Sequence, residues 1–257
     1  MKQEDVIRFY EGDVRGNDVF WSDAKAYVTW NALLFPDCST EQARSEENRV
    51  LNTAFLDRLD IVEELSCSLF WAMEKSKEEM HVYRVERYAD YKVFQQYGKL
   101  ESFISTSTAG FLNAYQDKKD LVLMEITIPK GTYCANFSKL LKQYKKNDEK
   151  EILLPPYLCF TSYEKQMDER IRKIQDRDGH APVVYCEIQV KQPSYVLQEM
   201  EFVQDWIMAG KRCYMAWNQK KIPQEKDMEA YCQLKHWLQY RIQKDMQKRG
   251  KCEKKED

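Results

Sequence analysis

Apolar positions along the chain change their period twice. Leu51, Phe55, Leu59, Val62, Leu65 and Leu69 recur at steps of four, four, three, three and four, which is one stripe of a long amphipathic helix. Upstream, Ser22-Asp23 offers an N-cap to a helix running through Ala26, Tyr27, Trp30, Asn31 and Leu34, closed by Pro36. From His81 the pattern becomes that of strands, because β-branched and aromatic residues gather in short runs at 82–85, 103–106, 121–128, 152–154, 157–161 and 183–190. Pro129-Lys130-Gly131, Pro155-Pro156, Asp178-Gly179 and Pro193 punctuate these runs. A helix is expected over 168–174. After Phe202 the helical period returns, with Phe202, Val203, Trp206 and Ile207 on one stripe and Met228, Tyr231, Leu234, Leu238 and Ile242 on another. Helices over 1–80, a strand-rich block over 81–198 and a helical extension over 199–257 make an α+β chain rather than an alternating βαβ one.

Composition narrows the class. With 257 residues, 43% of them hydrophobic, and only eight Gly and seven Pro, the chain can bury a core without metal or disulfide staples, and it is neither collagenous nor linker-like. Forty Lys plus Arg against forty-two Asp plus Glu leave a net charge of −2, so no basic field holds a polyanion and nucleic acid is not an expected partner. No run approaches the roughly 18 apolar residues of a membrane span, and Met1-Lys2-Gln3-Glu4-Asp5 lacks the apolar core of a secretory signal. No membrane partner is expected, and the chain reads as cytoplasmic, or as secreted by a signal-independent route to act in another cell's cytosol.

Eight cysteines, at 38, 67, 134, 159, 186, 213, 232 and 252, are never closer than nineteen residues. That spacing excludes a CxxC knuckle and a dense disulfide framework, and it reads as reduced thiols in or near the core, in a reducing compartment. Three scattered histidines, His81, His180 and His236, form no ligand cluster, so no metal is expected.

Phosphate-cradling and nucleophile-elbow motifs are missing: the sequence contains no GxGxxG after a strand, no GxxxxGK[ST] and no GxSxG. Three short signals inside the strand block remain. Arg84 lies in an otherwise apolar strand, where a guanidinium makes an ion pair or meets an anion such as a phosphate. Ser105-Thr106-Ser107 closes the next strand and can hold a polar ligand or cap the segment after it. In Glu149-Lys150-Glu151, a strand beginning at Glu149 puts both carboxylates on one face, which is costly unless a cationic centre stands beside them. The alternative is a solvated charge run, since every position over 145–151 is charged or amide.

Taken together, Tyr83-Arg84, Phe103-Ile104-Ser105-Thr106-Ser107, Ile126-x-Ile128-Pro129-x-Gly131 and Glu149-Lys150-Glu151-Ile152-Leu153-Leu154-Pro155-Pro156 resemble the R-S-E signature of toxin-type mono-ADP-ribosyltransferases, in order and approximate spacing. Tyr27, Asn31 and Leu34 resemble the helical stretch that precedes the core in that family. The resemblance covers roughly residues 20 to 190 and implies a catalytic domain over 1–198, with two packed antiparallel-rich sheets around a cleft that binds NAD as substrate. It implies that Arg84 contacts the NAD phosphates, that Ser105 orients Glu151, and that Thr106 and Ser107 shape the nicotinamide pocket. Glu151 is then the catalytic residue, bonding the ribose 2′-hydroxyl and stabilising the cation that forms as nicotinamide leaves. Glu149 faces the acceptor, an arginine of a protein. Tyr115, or else Phe111, stacks on nicotinamide, and Asn31 and Tyr27 assist on the adenosine or phosphate side.

The sequence departs from the family in carrying Val85 where many members have Gly, Phe35 where an Arg is usual, and Lys146 where an aromatic is usual. Two other readings stay open on the residues: an NAD glycohydrolase without a dedicated acceptor, and a catalytically silent module that binds NAD or a partner.

Overall fold

The computed structural model describes residues 59–100, 102–109, 120–140, 150–178, 181–189 and 203–253. In chain order their elements are α1 (Leu59–Trp71), β1 (Glu74–Lys75), β2 (Met80–Arg87), α2 (Tyr88–Tyr97), β3 (Ile104–Ser107), β4 (Leu121–Ile128), β5 (Tyr133–Asn136), α3 (Phe137–Leu140), β6 (Glu151–Leu154), β7 (Phe160–Tyr163), α4 (Glu169–Asp178), β8 (Val183–Ile188), α5 (Val203–Asn218) and α6 (Glu225–Glu253). They fall into two units: α1, α5 and α6 belong to one, and everything from Met73 to Pro193 to the other.

The second unit is built on one eight-stranded sheet of order β1-β5-β6-β3-β2-β4-β8-β7. Its neighbours are antiparallel except β4 and β8. The expectation of two separate sheets is refined here. Two groups of four strands join through β2 and β3, and that junction has a single paired position, Tyr83 opposite Ser107. By contrast β2 and β4 pair along all eight residues, from Met80–Ile128 to Arg87–Leu121. β4 is central because its side chains from Val122 to Ile128 are buried on both faces, as a near-continuous apolar run requires. On one face Tyr83, Val85, Leu123 and Tyr185 pack with Ile171 and Ile174 of α4.

Glu125 is the charged residue in that run. Only 2% of it is exposed, and its Oε1 is matched by His81 Nδ1 at 3.2 Å and Lys165 Nζ at 3.3 Å. Lys165 also reaches Asp168 at 3.0 Å, and Asp168 caps α4 by accepting from the Ile171 N–H at 3.0 Å. The Asp168 carboxyl is consequently held below its usual range, first by that backbone bond, and the Lys165 ammonium above its own, first by Asp168. One buried charge thus fixes where α4 begins.

Most predicted strands appear within a residue or two. The exception is the run at 157–161, whose strand begins at Phe160 because Tyr157 adopts a left-handed φ of 68° and continues the turn. The sequence reading misses α2 and β5. α2 follows β2 without a break and has no side-chain cap, yet Tyr91 and Phe94 bury one face and Gly98, at φ 63°, ends it by donating to the Phe94 carbonyl. β5 follows a turn in which Gly131 takes φ 90° and the Thr132 N–H bonds the Pro129 carbonyl at 3.3 Å, the third-position conformation that favours glycine.

In the first unit Val62, Leu65 and Leu69 of α1 and Tyr231, Leu234, Leu238 and Ile242 of α6 are buried as expected, with Met228 half-buried. The stripe expected at the start of α5 is not the buried one: Trp206 and Ile207 are half-buried, and Ala209 and Cys213 are the buried positions. Leu51, Phe55 and Phe202 lie outside the described residues. Arg241 bonds both Glu63 oxygens at 3.1 and 3.2 Å, joining α6 to α1. Arg212 grips Asp227 in the first turn of α6 through two bonds, of 3.1 and 2.8 Å, and holds that carboxyl below its usual range. Cys67, Cys134, Cys159, Cys186 and Cys213 are free thiols, but Cys232 is disulfide-bonded, which corrects the reading of all eight as reduced. Sequence spacing says nothing about which Cα atoms approach within bridging range. Among the described residues no helix is long and apolar enough to cross a membrane.

Candidate active site

Three strands bring three of the singled-out residues together. β3 and β6 pair over Ile104–Leu154, Ser105–Leu153, Thr106–Ile152 and Ser107–Glu151. In an antiparallel pair, directly opposed residues share a face, so Ser105, Ser107, Leu153 and Glu151 stand on one side. Ser105 is one diagonal step from Glu151, and its Oγ donates to Glu151 Oε1 at 2.5 Å. Glu151 is 3% exposed. A carboxylate this deeply placed is oriented by its partner and only weakly screened by water.

Arg84 completes the group from β2. Its Nη1 donates to the Ser105 carbonyl at 2.8 Å, and its Nε donates to Glu86 Oε2 at 2.7 Å. The ion pair called for by a guanidinium in an apolar strand is therefore made with Glu86. One residue, Ser105, touches both others: its carbonyl accepts from Arg84 and its hydroxyl donates to Glu151. This chain crosses the sheet where β2 and β3 share one paired position, so the guanidinium approaches β3 at the junction between the two strand groups.

The remaining hydroxyls have distinct tasks. Thr106 Oγ1 donates to the Ile152 carbonyl at 2.7 Å and ties β3 to β6 directly behind Glu151. Ser107 Oγ accepts from the Ala109 N–H at 3.0 Å and shapes the chain as it leaves β3. Lys150, just before Glu151, has a left-handed φ of 45°, a conformation that costs a non-glycine residue about 1 kcal/mol or more. Its carbonyl accepts from the Thr108 N–H at 3.3 Å. β6 begins at Glu151, so period-two alternation does not extend back through Lys150, and the same-face argument for the two carboxylates is not carried by strand geometry. Glu149, Tyr115, Phe111, Asn31 and Tyr27 lie outside the described residues.

Sequence reasoning missed two acids beside Arg84. Glu86, 8% exposed, is locked at both oxygens, since Oε1 also accepts from the Arg87 N–H at 3.1 Å. Asp90, in the first turn of α2, has its carboxyl pushed up to about 7, chiefly by burial and further by the charge of Glu86, with Arg87 and Arg84 opposing. The available signal for Glu86 was its spacing of two from Arg84 on a strand. Among the described residues no three His, Cys, Asp or Glu side chains converge as metal ligands.

No family model matches the sequence. No curated protein matches it either. Among solved structures the chain is similar to Plx2a, an ADP-ribosyltransferase toxin from Paenibacillus larvae, with 14% identity over 73% of this chain and 86% of that one and a TM-score of 0.42. It is similar to the catalytic domain of VahC from Aeromonas hydrophila, with 13% identity over 73% of this chain and 98% of that one and a TM-score of 0.45. A third similar structure is the C3 exoenzyme of Clostridium limosum, with 15% identity over 73% of this chain and 91% of that one and a TM-score of 0.35.

Proposed function

We propose that this chain is a mono-ADP-ribosyltransferase that takes NAD as its substrate and transfers ADP-ribose to an arginine side chain of a protein, releasing nicotinamide. The observation that carries the reading is the bonded chain Arg84–Ser105–Glu151. It links a guanidinium on β2 to a buried, oriented carboxylate on β6 through the strand between them, β3. A guanidinium suits a diphosphate through paired hydrogen bonds. A fixed carboxylate in a weakly screened place suits the positive charge that grows on a ribose carbon as its bond to a nitrogen leaving group breaks, as at glycosidases.

In this reading Arg84 holds the diphosphate and Glu151 bonds the ribose 2′-hydroxyl. Ser105 prevents the carboxylate from turning away, Thr106 ties β3 to β6, and Thr106 and Ser107 shape the nicotinamide pocket. The C1′–nitrogen bond to nicotinamide breaks with its electron pair leaving on nicotinamide. A guanidino nitrogen of the acceptor then forms the new C1′–N bond, and its proton passes to Glu149. Residues 1–198 make up the catalytic domain and 199–257 a helical extension. The site of action is a cytosol, that of the producing cell or of another.

The acceptor assignment rests on Glu149, because a carboxylate can accept two parallel bonds from a guanidinium and take its proton. Incubation with adenylate-labelled NAD and agmatine is expected to give labelled ADP-ribosyl-agmatine. Glu149→Gln is expected to lower that product about 100-fold while nicotinamide release into water persists. Hydrolysis of NAD by the wild type with no guanidino product would remove arginine as acceptor and leave an NAD glycohydrolase.

A further inference from the structure

We infer that Glu86 is a positioning residue of the NAD site, acting through Arg84; this rests on the functional reading above and adds a residue that the sequence signature does not contain. Glu86 is the terminus of a hydrogen-bond chain that crosses three strands. Its Oε1 accepts from the Arg87 N–H at 3.1 Å, and its Oε2 accepts from Arg84 Nε at 2.7 Å. Arg84 Nη1 then donates to the Ser105 carbonyl at 2.8 Å, and Ser105 Oγ donates to Glu151 Oε1 at 2.5 Å. Two bonds on different nitrogens, at opposite sides of the guanidinium, fix both its plane and its rotation.

Glu86 is itself held at both carboxylate oxygens. Its side chain is 10% exposed, and its backbone bond lies at the start of α2, where the unpaired N–H groups of a helix favour a carboxylate. Burying a carboxylate is unfavourable unless it is paired. Arg84 is that pair, with its own side chain 26% exposed, so the guanidinium is held on its inner side and remains reachable from solvent.

Two effects of Glu86 on an anionic ligand oppose each other. Its charge offsets part of the attraction that Arg84 exerts. Its grip removes the rotamer freedom that a long side chain would otherwise lose on binding, a term worth about a factor of ten for one immobilised Arg. The buried, doubly bonded geometry makes the grip the larger effect. The two can be separated experimentally, because an amide retains an acceptor oxygen and removes the charge.

The test measures KM for NAD and kcat for nicotinamide release in the full chain. Glu86→Ala is expected to raise KM about tenfold while kcat falls no more than about threefold. Glu86→Gln, whose single amide oxygen can still accept from Arg84 Nε while its NH2 is left against the Arg87 N–H, is expected to raise KM less than Glu86→Ala does, with kcat within about threefold of wild type. Glu86→Met keeps the volume, lacks the acceptor and reports the same loss if the alanine variant does not fold. Placed on an Arg84→Ala background, Glu86→Ala is expected not to raise KM, since the grip acts only through Arg84 and the Glu86 charge alone repels an anion. A lowered or unchanged KM in the alanine and methionine variants overturns the inference alone, as does an undiminished effect on the Arg84→Ala background. A wild type that neither binds nor cleaves NAD overturns the functional reading and the inference together.

Discussion

Glu151→Gln is expected to lower the rate of nicotinamide release from NAD about 1000-fold while changing KM for NAD less than threefold. The substitution is nearly isosteric, and the amide oxygen can still accept the Ser105 hydroxyl, so the β3–β6 register persists. The negative charge alone disappears. Only interactions stronger in the transition state than in the ground state change kcat, and a carboxylate beside a developing ribosyl cation is such an interaction. Removing one preorganised electrostatic contact of this kind costs about 100- to 1000-fold, and the 3% exposure of Glu151 places it at the upper end. Thermal unfolding of the variant within a few degrees of wild type would show that the loss is chemical. A kcat within tenfold of wild type, in a folded variant, would show that Glu151 is not the charge the reaction uses.

The second large effect concerns stability. The Asp90 carboxyl is pushed up to about 7 from an ordinary 3.8, chiefly by burial, and its Oδ1 has no hydrogen-bond partner. Below about pH 4 both the folded and unfolded chains hold this proton, so the residue contributes no pH dependence there. Between about 4 and 7 the folded chain keeps a proton that the unfolded chain has lost. Stability therefore falls as pH rises through that window, and it levels off above 7. The separation between 3.8 and about 7 corresponds to about 4 kcal/mol as a ceiling. Asp90→Asn cannot ionise, so its stability relative to wild type is expected to increase from pH 5 to pH 8 by about 2 to 3 kcal/mol. Urea unfolding of both proteins at the two pH values measures this directly. A difference between variant and wild type that is the same at pH 5 and pH 8 would mean that Asp90 ionises freely in the folded chain. Any pH-independent penalty for burying an amide cancels in this comparison.

The features that were legible in the sequence are those that periodicity or residue type controls locally. Leu121–Ile128 is recoverable to the residue because only a strand buried on both faces tolerates such a run. Arg84, Ser105 and Glu151 were legible through their combination: a guanidinium in an apolar strand, hydroxyls at a strand end and a carboxylate leading an apolar strand each have an ordinary structural reading alone, but in this order and spacing they resemble a known signature. Their bonds depend on the pairing of strands up to 67 positions apart in sequence between Arg84 and Glu151, which no local pattern encodes. Glu86 and Glu125 read as ordinary charged residues because their burial comes from neighbouring strands and from Arg84, His81 and Lys165. The left-handed backbone at Lys150 and Tyr157 was equally hidden, since neither residue type favours positive φ. Where β6 and β7 begin is therefore set by the turns before them rather than by strand propensity.

In the proposed function Arg84, Ser105 and Glu151 form a site that cleaves NAD at its nicotinamide bond. Incubating NAD with the purified chain and following free nicotinamide by chromatography tests it most directly. Nicotinamide is expected to accumulate in proportion to wild-type protein, and almost none is expected with Glu151→Gln at the same concentration. NAD left intact by the wild type, or nicotinamide released equally slowly by both proteins, would contradict it.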